Sequence, residues 1–522
     1  MTLEMHPSRW GDPAAATDLP DAARGLIEMA FGIEERPAAA EVTLPTPAIA
    51  SGLLDGLRDL LGAEHVLTDD ETRRLRTRGK STPDLLRQRA GDLSDAPDAV
   101  VRPATHEEVA AVLAYAVEHH LAVVPFGGGT SVTGGLVARR EGYSGLVSLD
   151  LLRMKRLLAV DHTSMTATLE PGLRGPETEA LLAAEGLTLG HYPQSFEFAS
   201  IGGFAATRSS GQSSAGYGRF DALVVGLRVA TPRGELRLGS APANAAGPDL
   251  RQLILGSEGA FGVITEVTVR VRRLPAEKVY EGWTWPSFAA GADAMRTLAQ
   301  SGLLPTVIRL SDESESAINL ARPDAIGGEA AGGCLMITGY EGEPAANAAK
   351  RAAVTALLEE LGGTCNGTEP GESWAHDRFN APYLRDSMLD VGVLVETLET
   401  ATWWSNRDAL YAGVKTALEQ SLGEGTMVLC HISHVYETGC SLYFTVAAKE
   451  AADPLAQWQQ AKAAASDAMI AAGATITHHH AVGTDHKPWL TAEIGELGAS
   501  VLRAVKADLD PTGVLNPGVL IP

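Results

Sequence analysis

Apolar positions along this chain switch between a helical and an extended period. Leu53, Leu54, Leu57, Leu60 and Leu61 recur at helical spacing and predict an amphipathic helix over residues 48–63. Ala99-Val100-Val101-Arg102, closed by Pro103, predicts a short strand. Thr105-His106-Glu107-Glu108 is a capping box whose hydroxyl and carboxylate satisfy the first free amides of a helix reaching about His120. Leu121-Ala122-Val123-Val124-Pro125 then predicts a buried strand, which completes a β-α-β unit. Leu146–Asp150, Thr166–Glu170, residues 223–230 and Val263–Val271 read as strands, and Glu177–Glu185 as a helix ended by Gly186. Leu274-Pro275 marks a domain boundary. Beyond it, strand-like Val307–Leu310, Cys334–Tyr340, Met427–His434 and Ser441–Ala447 are interspersed with helical Ala345–Leu361, Asn406–Ser421 and Pro454–Ala472. That pattern suits an antiparallel sheet with helices on one face. Further helices are expected over Asp21–Phe31 and Ile494–Leu509, and Ala38–Pro47 reads as a linker. The expected fold class is α+β. Its segments are a helical N-terminus (1–95), two domains (96–275 and 276–475) and a tail (476–522).

At 522 residues the chain is too long for one core. Its 45% hydrophobic and 20% charged residues are those of a folded globular protein. A net charge of −23 argues against nucleic acid and against an anionic membrane surface. It also requires a local Arg or Lys to catch any anionic substrate. Cys334, Cys365, Cys430 and Cys440 have no metal-type spacing, which points to a reducing compartment. No basic-then-apolar start and no apolar run near 18 residues is present, so the expectation is a soluble cytoplasmic chain. The last residues, Val519-Leu520-Ile521-Pro522, do not form an S-K-L-type address.

The stretch after the 121–125 strand carries the chemistry. Pro125-Phe126-Gly127-Gly128-Gly129-Thr130-Ser131 lets the backbone turn tightly, and successive exposed amides there make a concave anion site that fits a diphosphate. The spacing is neither G-x-G-x-x-G nor a P-loop. A second set of small and hydroxylated residues spans Gln194-Ser195-Phe196-Glu197-Phe198-Ala199-Ser200 and Thr207-Arg208-Ser209-Ser210. A third turn is Glu258-Gly259-Ala260-Phe261-Gly262-Val263-Ile264. The first stretch alone also fits an ordinary Gly-rich loop, and the second alone could equally be a long surface loop.

Taken together, PFGGGTSVTGGL, PQSFEFASIGGFAATRSSG, GPDLRQLILGSEGAFGVITE, TVIRLSD, YLRDSMLDVGVLVETLETATWW, SLYFTV and THHHAVGTDHKPWL resemble the flavoenzyme superfamily of vanillyl-alcohol oxidase and p-cresol methylhydroxylase. Within it they resemble the alkyldihydroxyacetonephosphate synthase family. The resemblance runs from about Val100 to Pro517 and is most specific in the YLRD…ETATWW block and the triple His. It implies an FAD-binding domain at 96–275, a cap at 276–475, and a tail that returns its His cluster to the active site. The three Gly-rich stretches would hold FAD, without a covalent bond because the first loop has no His. The implied reaction exchanges the acyl group of acyl-dihydroxyacetone phosphate for a long-chain fatty alcohol, with the flavin oxidised at start and end. Tyr443 matches the base that removes the carbon-1 proton. His478, His479 and His480 match its helpers, with His479 nearest. Arg385 matches the phosphate-binding Arg, and Arg309 an Arg important for activity. A homodimer with transient membrane contact is also implied.

Other readings of the same residues stay open at this point. Tyr443 on a strand fits a core aromatic, and Arg385-Asp386 fits a surface pair. As a strand, His478 and His480 would share one face and His479 the other. A metal site is a competing use of the His residues, although no ligand-like carboxylate spacing supports one. His431 and His434 depart from the synthase pattern and would line the pocket. The alternative function is an FAD-dependent D-2-hydroxyacid dehydrogenase, with His431, His434 and His480 as candidate ligands.

Overall fold

The computed structural model describes residues 4–12, 14, 19, 21–39, 42–137, 139–318 and 332–522. Three sheets organise the chain. The first contains β1 (Val66–Leu67), β2 (Ala99–Val101), β3 (Leu121–Phe126) and β4 (Gly145–Asp150), in the order β1-β2-β4-β3. β4 runs parallel to both β2 and β3 and lies between them. The intervening helix His106–His119 is capped as its sequence predicts. Glu108 N donates to Thr105 Oγ1 at 3.1 Å, and the Glu108 carboxylate accepts from Ala104 N at 2.7 Å.

The second sheet is antiparallel and contains β5 (Leu157–Asp161), β6 (Thr166–Leu169), β8 (Val224–Thr231), β9 (Gly234–Leu238) and β10 (Val263–Arg270). A short ribbon of β7 (Leu187–Thr188) and β11 (Arg272–Arg273) adjoins it. The third sheet has seven strands: β12 (Glu277–Trp285), β13 (Val307–Ser311), β14 (Cys334–Gly342), β15 (Thr364–Cys365), β16 (Val393–Trp403), β17 (Met427–Ile432) and β18 (Gly439–Lys449). Their order is β15-β12-β14-β13-β17-β18-β16, with every pair antiparallel. Helices Phe288–Gln300, Pro344–Glu360, Arg407–Leu422 and Pro454–Ala471 cover one face and bury Leu298, Leu358, Leu418 and Trp458 against it. The other face looks toward the first two sheets.

Several elements differ from the sequence reading. β12, β16 and the helices Phe288–Gln300, Glu369–Asp377 and Ala381–Leu389 were not anticipated. β16 escaped because Glu396 and Glu399, charged residues on opposite faces of the strand, are both buried. The N-terminal 95 residues are not a helical unit of their own. β1 extends the first sheet, and helix Asp21–Phe31 packs Ile27 and Phe31 on Val393, Val395 and Ala447 of the third. Residues 40 and 41 of the expected linker lie outside the described residues. The tail also joins the core, where Asn516 N donates to Val123 O and Val123 N to Val514 O. Its helix spans Lys487–Leu509 with a break at Gly495, rather than starting at Ile494. Cys334, Cys365, Cys430 and Cys440 are free thiols. Among the described residues no helix is long and apolar enough to cross a membrane.

Candidate active site

A cavity of about 440 Å³ lies between the carboxyl end of β3 and the open face of the third sheet. Pro125 through Ser131 form one wall. The turn needs glycine for two separate reasons. A Cβ on Gly128 would stand 2.1 Å from Phe198 O, and Gly129 has φ +71°. Among the described residues the amides of Gly129, Thr130 and Ser131 donate to no protein acceptor. Such a row of unspent N–H groups suits a diphosphate.

Gln194, Ser195, Ala199, Ser200, Thr207, Ser209, Ser210, Glu258, Gly259, Gly262, Val263 and Ile264 continue the lining. Gln194 Nε2 is buried without a partner. The other residues expected there do not face the cavity. Phe196 stacks on Phe379 with ring centres 5.5 Å apart, and Phe198 packs on Trp10 and Met5. Glu197 is exposed, and Ala260 and Phe261 belong to the core of the second sheet. Arg208 spends its guanidinium on the carbonyls of Leu255 and Gln252.

Strand periodicity builds the opposite wall. Arg309, Thr397, His431, Tyr443 and Thr445 point into the cavity, while their neighbours Leu310, Leu398, Cys430 and Phe444 pack on the helices. Register places Tyr443 across from His431 on one side and Glu399 on the other. The imidazole of His431 stacks on the Tyr443 ring at 4.8 Å. His480 lies at 5.5 Å and His479 at 6.2 Å, so His479 is not the nearest imidazole as expected. Residues 478–480 do not form a strand either. The amides of His478, His479 and His480 all donate to the Glu399 carboxylate, at 2.8–3.0 Å, which gathers them into a bend no extended chain allows. Thr477 Oγ1 donates to the same carboxylate at 2.6 Å, and His479 Nδ1 lies 3.3 Å from it. His478 is turned from the cavity, with Nε2 2.6 Å from Tyr436 Oη.

The electrostatics follow from this packing. Burial pushes the Tyr443 phenol up to about 12. Burial also lowers His478 and His480 to about 3. Burial would raise Glu399, but the three adjacent imidazoles, His479 foremost, hold it well below the usual carboxylate range. Glu315, which the sequence reading missed, likewise sits at about 2, since His431 and Arg309 outweigh its burial. Arg309 Nη2 donates to Glu315 and lies 3.0 Å from His431 Nδ1. Arg385 is buried rather than part of a surface pair. Its Nη1 donates to Lys80 O at 2.8 Å and its Nε to Asp386 at 3.2 Å, leaving Nη2 without a hydrogen-bond partner. Asp386 also accepts from Trp10 N, so an N-terminal segment with no sequence signal helps shape this end of the cavity.

Two other features complete the site. His431 and His434 both line it, but the trio His431, His434 and His480 is not gathered together. Instead one nitrogen each of His434, His478 and His479 lies within 4.8 Å of the others. An apolar arm runs out between Ile27, Phe31, Met388, Val395 and Met427 to Leu26, which is 44% exposed.

Comparison with known proteins agrees with this division of labour. The family described as "FAD binding domain" matches residues 97–239, and "FAD linked oxidases, C-terminal domain" matches residues 274–520. The alkyldihydroxyacetonephosphate synthase of Trypanosoma brucei brucei is 34% identical over 92% of this chain and 82% of its own. That of Dictyostelium discoideum is 34% identical over 87% of this chain and 78% of its own. A solved alkyldihydroxyacetonephosphate synthase superposes with a TM-score of 0.84 at 29% identity, covering 98% of this chain and 99% of the other.

Proposed function

Because the chain belongs to the alkyldihydroxyacetonephosphate synthase family, we propose that it exchanges the acyl group of an acyl-dihydroxyacetone phosphate for a long-chain fatty alcohol, forming an ether without net redox change. The observation that carries this reading is one cavity shared by the glycine loop, Tyr443, the His479–Glu399 pair and a buried Arg385.

FAD is the cofactor, and the site fits it. The free amides of Gly129–Ser131 suit its diphosphate, while Gln194 Nε2, Ser209 and Ser210 offer polar contacts along the same wall. The loop has no His, so the binding is non-covalent. Bound FAD would supply an electrophilic ring beside the substrate carbon.

Tyr443 Oη takes the carbon-1 proton. A phenol held at about 12 is a base near neutrality only when a neighbour takes its proton. His479 is that neighbour although it is not the nearest ring. His431 stands beside the Arg309 charge, and burial drives His480 down to about 3. His479 has the Glu399 carboxylate 3.3 Å from its own nitrogen, whereas the Glu315 carboxylate beside His431 is shared with Arg309. His478 and Arg309 act as positioning residues, through Tyr436 and through Glu315 with His431. Arg385 binds the substrate phosphate through Nη2, which lies 3.2 Å from Asp386 Oδ1 but has no hydrogen-bond partner. The apolar arm takes the alkyl chain, and exposed Leu26 at its mouth touches a membrane during loading. The enzyme works in the cytoplasm as a homodimer, with domains 96–275 and 276–475 closing the site between them.

The test is anaerobic incubation of the purified yellow protein with palmitoyl-dihydroxyacetone phosphate and hexadecanol. Palmitate release with ether product and no lasting flavin bleaching supports the reading. Bleaching by D-lactate without release would instead favour the dehydrogenase. Tyr443→Phe should abolish turnover while leaving the protein yellow, and retained turnover would refute the role of Tyr443.

A further inference from the structure

Among the described residues three arginines line the cavity, and they are not equivalent. Arg309 is neutralised by Glu315 and Arg385 by Asp386. Arg378, at the end of helix Glu369–Asp377, has no ion pair among the described residues. Its Nε and Nη1 are buried and without a hydrogen-bond partner. Three aromatic rings hold the guanidinium in place, with centres 4.9 Å (Tyr192), 5.0 Å (Phe379) and 5.7 Å (Trp374) away. Rings fix and weakly stabilise a cation but do not neutralise it. An unneutralised, partly desolvated guanidinium facing a ligand cavity is therefore a place reserved for an anion.

The proposed exchange generates such an anion apart from the substrate phosphate. The bond between carbon-1 and the acyloxy oxygen breaks, and its electron pair leaves with the oxygen as a fatty carboxylate. The alcohol oxygen forms the new bond to carbon-1, and the alcohol proton is released, which balances the charge. Phosphate stays on the substrate throughout, so the cation that holds it cannot also accept the leaving group. We propose that Arg378 is a carboxylate site that receives the departing fatty acid, separate from the phosphate site at Arg385. This assignment rests on the exchange reading. It gives the leaving group a charged partner in a cavity whose remaining walls are largely apolar, and it makes the released acid a product inhibitor.

The experiment measures equilibrium binding of palmitate, hexadecanol and inorganic phosphate to the FAD-loaded enzyme. Wild type is compared with Arg378→Gln, Arg378→Lys and Arg385→Gln, with flavin absorbance and melting as controls of folding. The expected result is at least a tenfold preference of wild type for palmitate over hexadecanol. That preference should be lost in Arg378→Gln with hexadecanol binding unchanged, and largely kept in Arg378→Lys. Phosphate binding should fall only in Arg385→Gln. A palmitate preference that survives Arg378→Gln would overturn the assignment. So would equal loss of palmitate and hexadecanol, or loss of phosphate binding in Arg378→Gln. Because no arm needs turnover, the two readings fail separately. An intact palmitate preference in an enzyme that makes no ether would sink the exchange alone, whereas ether formation without the preference would sink the Arg378 site alone.

Discussion

Glu399→Gln isolates what the buried carboxylate does for the His loop. Gln keeps the shape of Glu but converts one accepting oxygen into a donor and removes the charge. In the native chain Oε1 accepts from Thr477 Oγ1 and from the amides of His478, His479 and His480, while Oε2 accepts from His478 N and faces His479 Nδ1 at 3.3 Å. Hydrogen bonds to a charged group contribute about 1.5–3 kcal/mol each. Whichever way the amide turns, at least one of them is replaced by two donors facing each other, and the others weaken. A loss of about 3 kcal/mol in placing His479 follows, which is about 10²-fold in kcat at about 1.36 kcal/mol per decade. The assay is palmitate release at saturating acyl substrate, read beside flavin absorbance and the melting curve. The expected outcome is a kcat lower by about 10²-fold with FAD retained, KM for the acyl substrate little changed, and partial recovery in Glu399→Asp, which restores the charge. An unchanged kcat in Glu399→Gln would refute the reasoning, as would a loss in Glu399→Asp as large as in Glu399→Gln.

Two further predictions concern the cofactor wall. Gly128→Ala places a methyl 2.1 Å from Phe198 O, so it should purify with much less FAD than wild type, and a full complement of flavin would show that the turn tolerates a side chain. Burial raises the Glu258 carboxyl from 4.5 to about 7. A carboxyl raised in the folded state contributes most to stability below its unfolded pKa and loses that contribution as pH climbs toward the folded value. Between pH 4.5 and 7 the melting temperature of wild type should therefore fall relative to that of Glu258→Gln, and parallel curves for the two proteins would contradict the burial argument.

The sequence by itself determined the local machinery. The glycines at 127–129, the capping box at Thr105 and the period-two runs around Arg309, His431 and Tyr443 each follow from spacing and backbone sterics. These signals are short-range, so one stretch is enough to read them. The alternation along β18 decides that Tyr443 and Phe444 face opposite ways, but not which of them meets the cavity. Only the tertiary structure decided that, because helices Arg407–Leu422 and Pro454–Ala471 claim the Phe444 face. The same holds for β16, whose Glu396 and Glu399 look like solvent-facing residues until the 477–480 loop arrives from 78–81 residues away to satisfy Glu399. The bend of the triple His, the stacking of His431 on Tyr443 and the unpaired state of Arg378 are contacts between segments distant in sequence. A residue's own spacing states which face it takes along its element. Its neighbours, its burial and therefore its charge state are set by what the rest of the chain packs against that face.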